Sequence, residues 1–555
     1  MYRRRHAAAL AKRAAVITPP TVAGSDAVTS AAFGIRTGGG SSGSSGGGSG
    51  ERERASTSLT ARGYGLLKSA ITPTALAELK KELTMVPVST NGPMGAGAGG
   101  GAAATSFPLY QESANKIYVP KYFGLCRFGE PQRRELRPGD PFPSGTDAVR
   151  FAGSLREEQM RPIESFLQAA HDPMRMGGIL SLPCGAGKTV IALHLVAVLG
   201  RRTLIVVHKD FLLNQWRERI AEFLPGASVG LVKAKMVDVA GRDIVIASLQ
   251  SLSMKDYADD LFAGIGLLVI DECHRVGTEV FSRALAKTNF RYSLGLSATV
   301  TRKDGMTKAF IHYLGDVLFK GKRREDTVDV VQHRFYDPDQ RYCREELIGH
   351  IGKPNVSRMI NNICAFVPRT RLIVDTIVQL LREEPTRRVL VLSDRKSQLT
   401  EVHDWLEQAG VTAGFYWGGM KAAALADTET KTVMCATFSY AAEGMDVPHL
   451  NTLFLASPKS DIEQSCGRIL RQKAECRENT PLIFDIVDDF SMMFGRQAAK
   501  RRMFYKRHNY HVVASLTDIK RVEAVASGDT SDDGGDAAGD NAYAFKDGDG
   551  DGTDF

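Results

Sequence analysis

The chain has 555 residues, 43% of them hydrophobic, and a formal net charge of +8. That length exceeds what one hydrophobic core organises, so two domains plus tails are expected, and no run reaches the roughly eighteen consecutive apolar residues that a membrane helix needs. The eight cysteines are scattered, with no Cys-x-x-Cys pair and no histidines at zinc spacing, which argues against zinc or iron–sulfur sites and for free thiols in a reducing compartment.

Residues 1–55 are rich in Gly, Ser and Ala and cannot bury enough apolar surface to fold. Within the first fifty residues, Arg3, Arg4, Arg5, Lys12, Arg13 and Arg36 face only Asp26, which suits a disordered basic tail and also admits an organellar transit peptide. An accessory region follows over 56–147. Its stretch 58–87 has helical periodicity through Leu76, Leu79 and Leu83, Gly95–Ala104 reads as an inserted linker, and Ile117–Gly124 reads as a strand and turn.

From 148 to 330, short apolar runs alternate with helical stretches, at Ile179–Leu182, Leu204–Val207, Ile244–Ala247, Leu267–Ile270 and Ser293–Leu296. A second series spans 331–515, with runs at Val389–Leu392, Thr432–Ala436, Thr452–Leu455 and Leu482–Val487. Strands spaced by helices predict α/β folding, with two tandem parallel-sheet domains whose functional loops lie at strand carboxyl ends. The terminal segment 516–555 reads as a disordered acidic tail. Residues 523–555 hold ten acids against Lys546 alone, so the body of the chain is more basic than its total conveys and favours a polyanionic partner.

Three motifs carry chemistry. In Pro183-Cys-Gly-Ala-Gly-Lys-Thr189, Gly185, Ala186 and Gly187 let backbone N–H groups approach phosphates, Lys188 suits the β and γ phosphates, and Thr189 suits Mg²⁺. Leu182 stands where the general phosphate-loop pattern has its first glycine. Downstream, Leu267–Ile270 delivers Asp271 to a Mg²⁺ shell and Glu272 to an attacking water. The third motif places Gln464, Arg468 and Arg471 at spacings of four and three, on one face of a predicted helix over 461–471. Those arginines could reach the phosphates from a second domain, which describes a motor using ATP and Mg²⁺.

Together these stretches resemble superfamily 2 helicases and translocases. Leu182–Thr189, Leu294-Gly-Leu-Ser-Ala-Thr299, Phe415-Tyr-Trp-Gly-Gly-Met420 and Ala442-Glu-Gly-Met-Asp-Val-Pro448 are the most telling, and the resemblance covers roughly 58–510. Within that superfamily the chain looks like the DECH-box group, with XPB-like DNA translocases and the poxvirus-type transcript-release helicases of large DNA viruses. The latter is suggested by the Lys116–Gly124 segment.

The resemblance implies two RecA-like domains and a DNA partner, with RNA as the alternative and transcription machinery as a further partner. It implies that Gln159 reads adenine, that Ser297, Ala298 and Thr299 couple the ATP site to the nucleic-acid track, and that Gly444 and Asp446 sit near the ribose and that track. Ser248 and Gln250 would contact the nucleic-acid backbone. Arg302-Lys303-Asp304 stands where XPB-like proteins carry Arg-Glu-Asp, which counts against an XPB-specific damage-opening role.

Other signals are weaker. Asp547-Gly-Asp549-Gly-Asp551 imitates the start of a calcium loop, but no bidentate glutamate follows. Arg496–His508 mixes cations with aromatics, as nucleic-acid surfaces, nuclear signals and plain basic helices all do. Trp216 and Trp405 sit among apolar neighbours and read as core. The whole suits an intracellular protein of nucleus or cytoplasm.

Overall fold

The computed structural model describes residues 56–86 and 106–513, apart from 184, 259, 276–278, 299–306, 322–325, 349–351, 446 and 473–475. The expected tails and the Gly95–Ala104 insertion lie outside those residues. The chain divides into two compact units, Met1–Arg323 and Arg324–Phe555. The Asp329–Phe335 strand, which a sequence boundary at 330/331 would cut, lies wholly in the second.

In the first unit one sheet runs in the order Met236–Val237, Val229–Lys233, Ile244–Ser248, Thr203–Val207, Leu267–Ile270, Tyr292–Ser297, Gly177–Ser181, Val317–Lys320. Only the Met236–Val237 strand is antiparallel to its neighbour. The central strands are buried and mostly apolar because both faces are covered. Along Thr203–Val207, Leu204 and Val206 join one core layer while Ile205 and Val207 join the other, as a period of two requires. Burying one such side chain contributes roughly 1.5–3 kcal/mol.

The accessory region is part of this unit. Its sheet runs Gln111–Glu112, Lys116–Val119, Gly63–Leu67, Thr57–Thr60, Arg133–Arg134. The helical periodicity expected over 58–87 therefore holds only for the Pro73–Glu82 helix, since Thr57–Thr60 and Gly63–Leu67 pair as antiparallel strands. Tyr64 and Leu66 alternate with glycines there, and that short pattern was hidden by the leucine spacing beyond it. The expected turn after Lys116–Val119 is a helix, Lys121–Phe128. Gly124 lets that helix close on the sheet, because a Cβ there would lie 2.3 Å from the Tyr64 side chain.

Lys121 anchors the region: it is 2% exposed and donates to the carbonyl oxygens of Phe290 at 2.8 Å and Arg291 at 3.1 Å. The Tyr313 hydroxyl donates in turn to the Leu109 carbonyl.

The second unit has a fully parallel sheet in the order Ala413–Tyr416, Val433–Thr437, Val389–Ser393, Thr452–Leu455, Leu482–Asp488, Asp329–Phe335, His511–Val513. Its two faces also separate, with Leu390 and Leu392 in one layer and Val389 and Val391 in the other. Two buried ion pairs fix helices to the Leu482–Asp488 strand, Arg369 with Asp488 at 2.7 Å and Arg501 with Asp485 at 2.8 Å. Tyr342 and Tyr505 donate further hydrogen bonds to those carboxylates, so neither charge is buried without compensation. No described helix is long and apolar enough to cross a membrane.

Candidate nucleotide site

Three neighbouring strands of the first unit, Gly177–Ser181, Tyr292–Ser297 and Leu267–Ile270, end at the same edge. After the first, the phosphate-loop residues Gly185 and Gly187 take left-handed conformations with φ of 80° and 77°. Any side chain would be strained there, and at Gly187 a Cβ would also meet the Gln159 amide at 2.2 Å. Gly187 then caps the helix Lys188–Leu199, which buries Ile191, Leu193, Leu195 and Val196 in the core. Its first turn carries Lys188 and Thr189.

Lys188 Nζ lies 2.8 Å from Glu272 Oε1, across 84 residues of sequence. The neighbouring Asp271 is buried and accepts two hydrogen bonds, from the Trp216 indole N–H to Oδ2 at 3.0 Å and from the Glu272 backbone N–H to Oδ1 at 2.9 Å. Glu272 itself has φ of 48°, unusual for a residue with a side chain. Such a conformation costs on the order of 1–3 kcal/mol and persists only where surroundings over-determine it.

The surroundings here are specific. His274 Nδ1 lies 3.2 Å from Glu272 Oε2 and 2.8 Å from Ser297 Oγ, and the Ala298 backbone also hydrogen-bonds Glu272. The acidic pair and the segment beginning at Ser297 thus share one network. Thr299, together with Arg302-Lys303-Asp304, lies outside the described residues.

The two carboxyls are driven apart. Burial first, and then the charge of Glu272, hold Asp271 above the ordinary carboxylate range. For Glu272, burial also opposes ionisation, but the Lys188 and His274 charges and the hydrogen bonds outweigh it and bring its carboxyl below that range. Glu272 is therefore an ionised acceptor at neutral pH, whereas Asp271 is a carboxylate that a cation would stabilise. Burial pushes the intervening Cys273 thiol well above its usual range, which makes it a packing residue.

Gln159 is 2% exposed. Its amide donates to the Ala186 carbonyl at 3.1 Å, and its oxygen accepts from the Arg156 backbone N–H. Arg156 donates to the Gly185 carbonyl. Gln159 is thus held against the phosphate loop itself. At the end of the Ile244–Ser248 strand, separated from Leu267–Ile270 by Thr203–Val207, Ser248 caps the Leu249–Met254 helix by accepting from the Ser251 N–H, while Gln250 is exposed.

In the second unit the expected single helix over 461–471 is broken. A four-residue helix, Glu463–Cys466, carries Gln464 and gives way at Gly467 to turns. The two arginines still converge: Arg468 Nη1 and Arg471 Nη2 each donate to the Met445 carbonyl at 2.7 Å. That carbonyl directly follows Gly444, the last residue of the Phe438–Gly444 helix. Asp446 lies outside the described residues.

Sequence reasoning missed Trp216 and His274 as site residues. The first was read as core, and it is only 2% exposed, but its one polar atom is spent on Asp271.

A family model described as "Type III restriction enzyme, res subunit" matches residues 152–302. The "Putative ATP-dependent RNA helicase L396" of Acanthamoeba polyphaga mimivirus is 32% identical over 461 residues, which are 82% of this chain and 86% of that protein. The "Putative helicase 161L" of Invertebrate iridescent virus 6 is 25% identical, covering 65% of this chain and 83% of its own. The "Putative ATP-dependent RNA helicase QP509L" of African swine fever virus is 25% identical over 60% of this chain and 68% of its own.

Proposed function

The chain belongs to the superfamily 2 helicases of the kind carried by large DNA viruses and is a nucleic-acid-dependent ATPase, and from that premise we propose that it couples ATP hydrolysis to movement on, or unwinding of, DNA. The observation that carries the reading is the Lys188–Glu272 ion pair beside buried Asp271. A phosphate-loop cation and an ionised glutamate in contact are poised for a substrate whose phosphates compete for the lysine. Binding of ATP frees the Glu272 carboxylate to take a proton from the attacking water.

The residues present fit Mg²⁺. Thr189 and Asp271 supply hard oxygen donors, and among the described residues each Asp271 oxygen accepts one hydrogen bond and no group of three or more His, Cys, Asp or Glu suggests a different metal. Bound there, the ion would neutralise phosphate charge. Gly185, Ala186 and Gly187 cradle the phosphates, and Gln159 orders the loop and reads adenine.

Ser297 and Ala298, tied to Glu272 through His274 and the backbone, relay nucleotide state toward Ser248, Gln250 and the nucleic-acid track. Thr299 extends that relay. Arg468 and Arg471, with Gln464, serve the transferred phosphoryl group, while Gly444 and Asp446 serve the ribose and the nucleic-acid track. The resemblance of the motifs to DECH-box and transcript-release helicases favours transcription or repair as the setting, with transcription machinery as partner.

A second reading, an RNA helicase, is favoured by the names of the mimivirus and African swine fever virus relatives. Strand-displacement assays on DNA and RNA duplexes, beside triplex displacement, separate the cases. DNA strand or triplex displacement driven by ATP supports the proposal, and displacement confined to RNA duplexes overturns it.

A further inference from the structure

At the carboxyl ends of the Asp329–Phe335, Thr452–Leu455 and Leu482–Asp488 strands, the second unit carries an open cleft of about 580 Å³. Its floor is the first turns of the Met492–Arg507 helix, and its lip is Pro354 and Val356. Arg496 and Lys500 line it one helical turn apart, both exposed and neither with an acidic partner among the described residues. Met492, 73% exposed, stands beside them.

Two further features define what could fill this space. The Gln497 side-chain oxygen is shielded from solvent and accepts no hydrogen bond among the described residues, so a turn of that amide toward the cleft would let it meet a donor on an occupant. Ser491 caps the helix by accepting from the Met493 N–H, so the first-turn amides and the positive helix end lie at the cleft. Two cations without a carboxylate partner among the described residues, of which Arg496 donates to the Met492 sulfur at 3.2 Å, together with an apolar lip and an unmet acceptor, suit a chain that alternates phosphates with flat, N–H-bearing rings.

The cleft also adjoins the turn after the Val389–Ser393 strand. Arg395 donates to the Ser357 carbonyl at 3.1 Å, next to Val356, and Lys459, next to Ser460 of the cleft, pairs with Asp394 at 3.0 Å.

We propose that this cleft is a nucleic-acid subsite outside the helicase motifs, in which Arg496 and Lys500 hold consecutive phosphates of a single strand whose bases lie against Met492 and the Pro354–Val356 lip. The proposal rests on the motor reading above. Its volume suits roughly one or two nucleotides and not a duplex. Glu345 on the cleft wall opposes the two cations and limits affinity.

The test uses the full chain with Arg496→Gln and Lys500→Gln combined, and separately Glu345→Gln. Fluorescence anisotropy with single-stranded DNA and RNA oligonucleotides, without ATP, is read across a salt series. The double variant should bind about tenfold or more weakly, and the slope of log affinity against log salt should flatten by about 1.4, at about 0.7 per lost phosphate contact. Glu345→Gln should bind about twofold or more tightly.

Unchanged affinity and slope in the double variant overturn the proposal. So does a polyglutamate chain that binds the wild type as tightly as the oligonucleotide and weakens by the same factor in the variant, which would make the cleft an acidic-peptide site. ATPase stimulation measured in parallel reports on the motor reading alone. A wild type that binds strands but is never stimulated refutes the motor and leaves the cleft standing, whereas one that binds no strand refutes both.

Discussion

Replacing Trp216 with phenylalanine removes one hydrogen bond to Asp271 and leaves an aromatic ring in place. The lost bond is a 3.0 Å donation from the indole N–H to a buried carboxylate oxygen. Hydrogen bonds to charged groups contribute roughly 1.5–3 kcal/mol, which at about 1.4 kcal/mol per decade corresponds to about 10- to 150-fold. Groups that orient a metal ligand from behind typically change affinity or activity by about 10- to 100-fold.

The loss should appear in the Mg²⁺ dependence of stimulated ATP hydrolysis. Half-saturation should rise by about tenfold or more, with turnover at saturating Mg²⁺ falling much less. The donor also favours the ionised carboxylate, so its removal lets burial raise the Asp271 carboxyl further and should move the acid limb of the pH profile upward. Packing loss alone is controlled by Ile220→Val, which lies on the same Asp210–Phe223 helix in the same core layer and should cost about 0.5–1.5 kcal/mol of stability without touching Asp271. Equal Mg²⁺ half-saturation in Trp216→Phe and wild type, with both folded by thermal melt, refutes the positioning role.

Lys188→Ala should abolish productive ATP binding, and Glu272→Gln should bind ATP while losing turnover and trapping nucleic acid in a stable complex; nucleotide binding and single-turnover hydrolysis check both. If Arg468 and Arg471 stabilise the transferring phosphoryl group, either alanine variant should lose about 10³- to 10⁵-fold in stimulated hydrolysis with nucleotide affinity within about an order of magnitude; a rate near wild type leaves them only their bond to the Met445 carbonyl. Lys121 is brought from 10.5 to about 7, by burial first and then by the Arg291 charge. Between those values the unfolded chain binds a proton that the folded chain does not, so its contribution to stability is present at high pH and lost as pH falls toward about 7. Lys121→Met should remove that slope from chemical denaturation measured across the alkaline range.

Where the sequence was readable, burial had simplified it. The Leu204–Val207, Leu267–Ile270 and Val389–Leu392 runs are covered on both faces, so their strands needed no alternation to be seen. Edge strands carry no such mark. Val317–Lys320 and His511–Val513 are half exposed at the margins of their sheets, and their mixed composition resembles loop. The predicted helix over 461–471 failed for a local reason, since a 3.6 period read through Gly467 ignores the turn that follows the helix end there.

The candidate site divides along a different line. Gly185, Gly187 and Lys188 announce themselves because one short turn must supply left-handed backbone and a cation together. Trp216 could not, because its bond to Asp271 spans 55 residues and exists only through topology. The Thr203–Val207 and Leu267–Ile270 strands are neighbours in the sheet, and the Asp210–Phe223 helix that follows the first of them brings Trp216 within reach of the residue that ends the second. A tryptophan at that place in an apolar helix pattern is equally consistent with plain core, and it is core. Its single polar atom becomes informative only once strand order puts a buried carboxylate within its reach, so the residues that orient a catalytic group are the last to become visible from sequence.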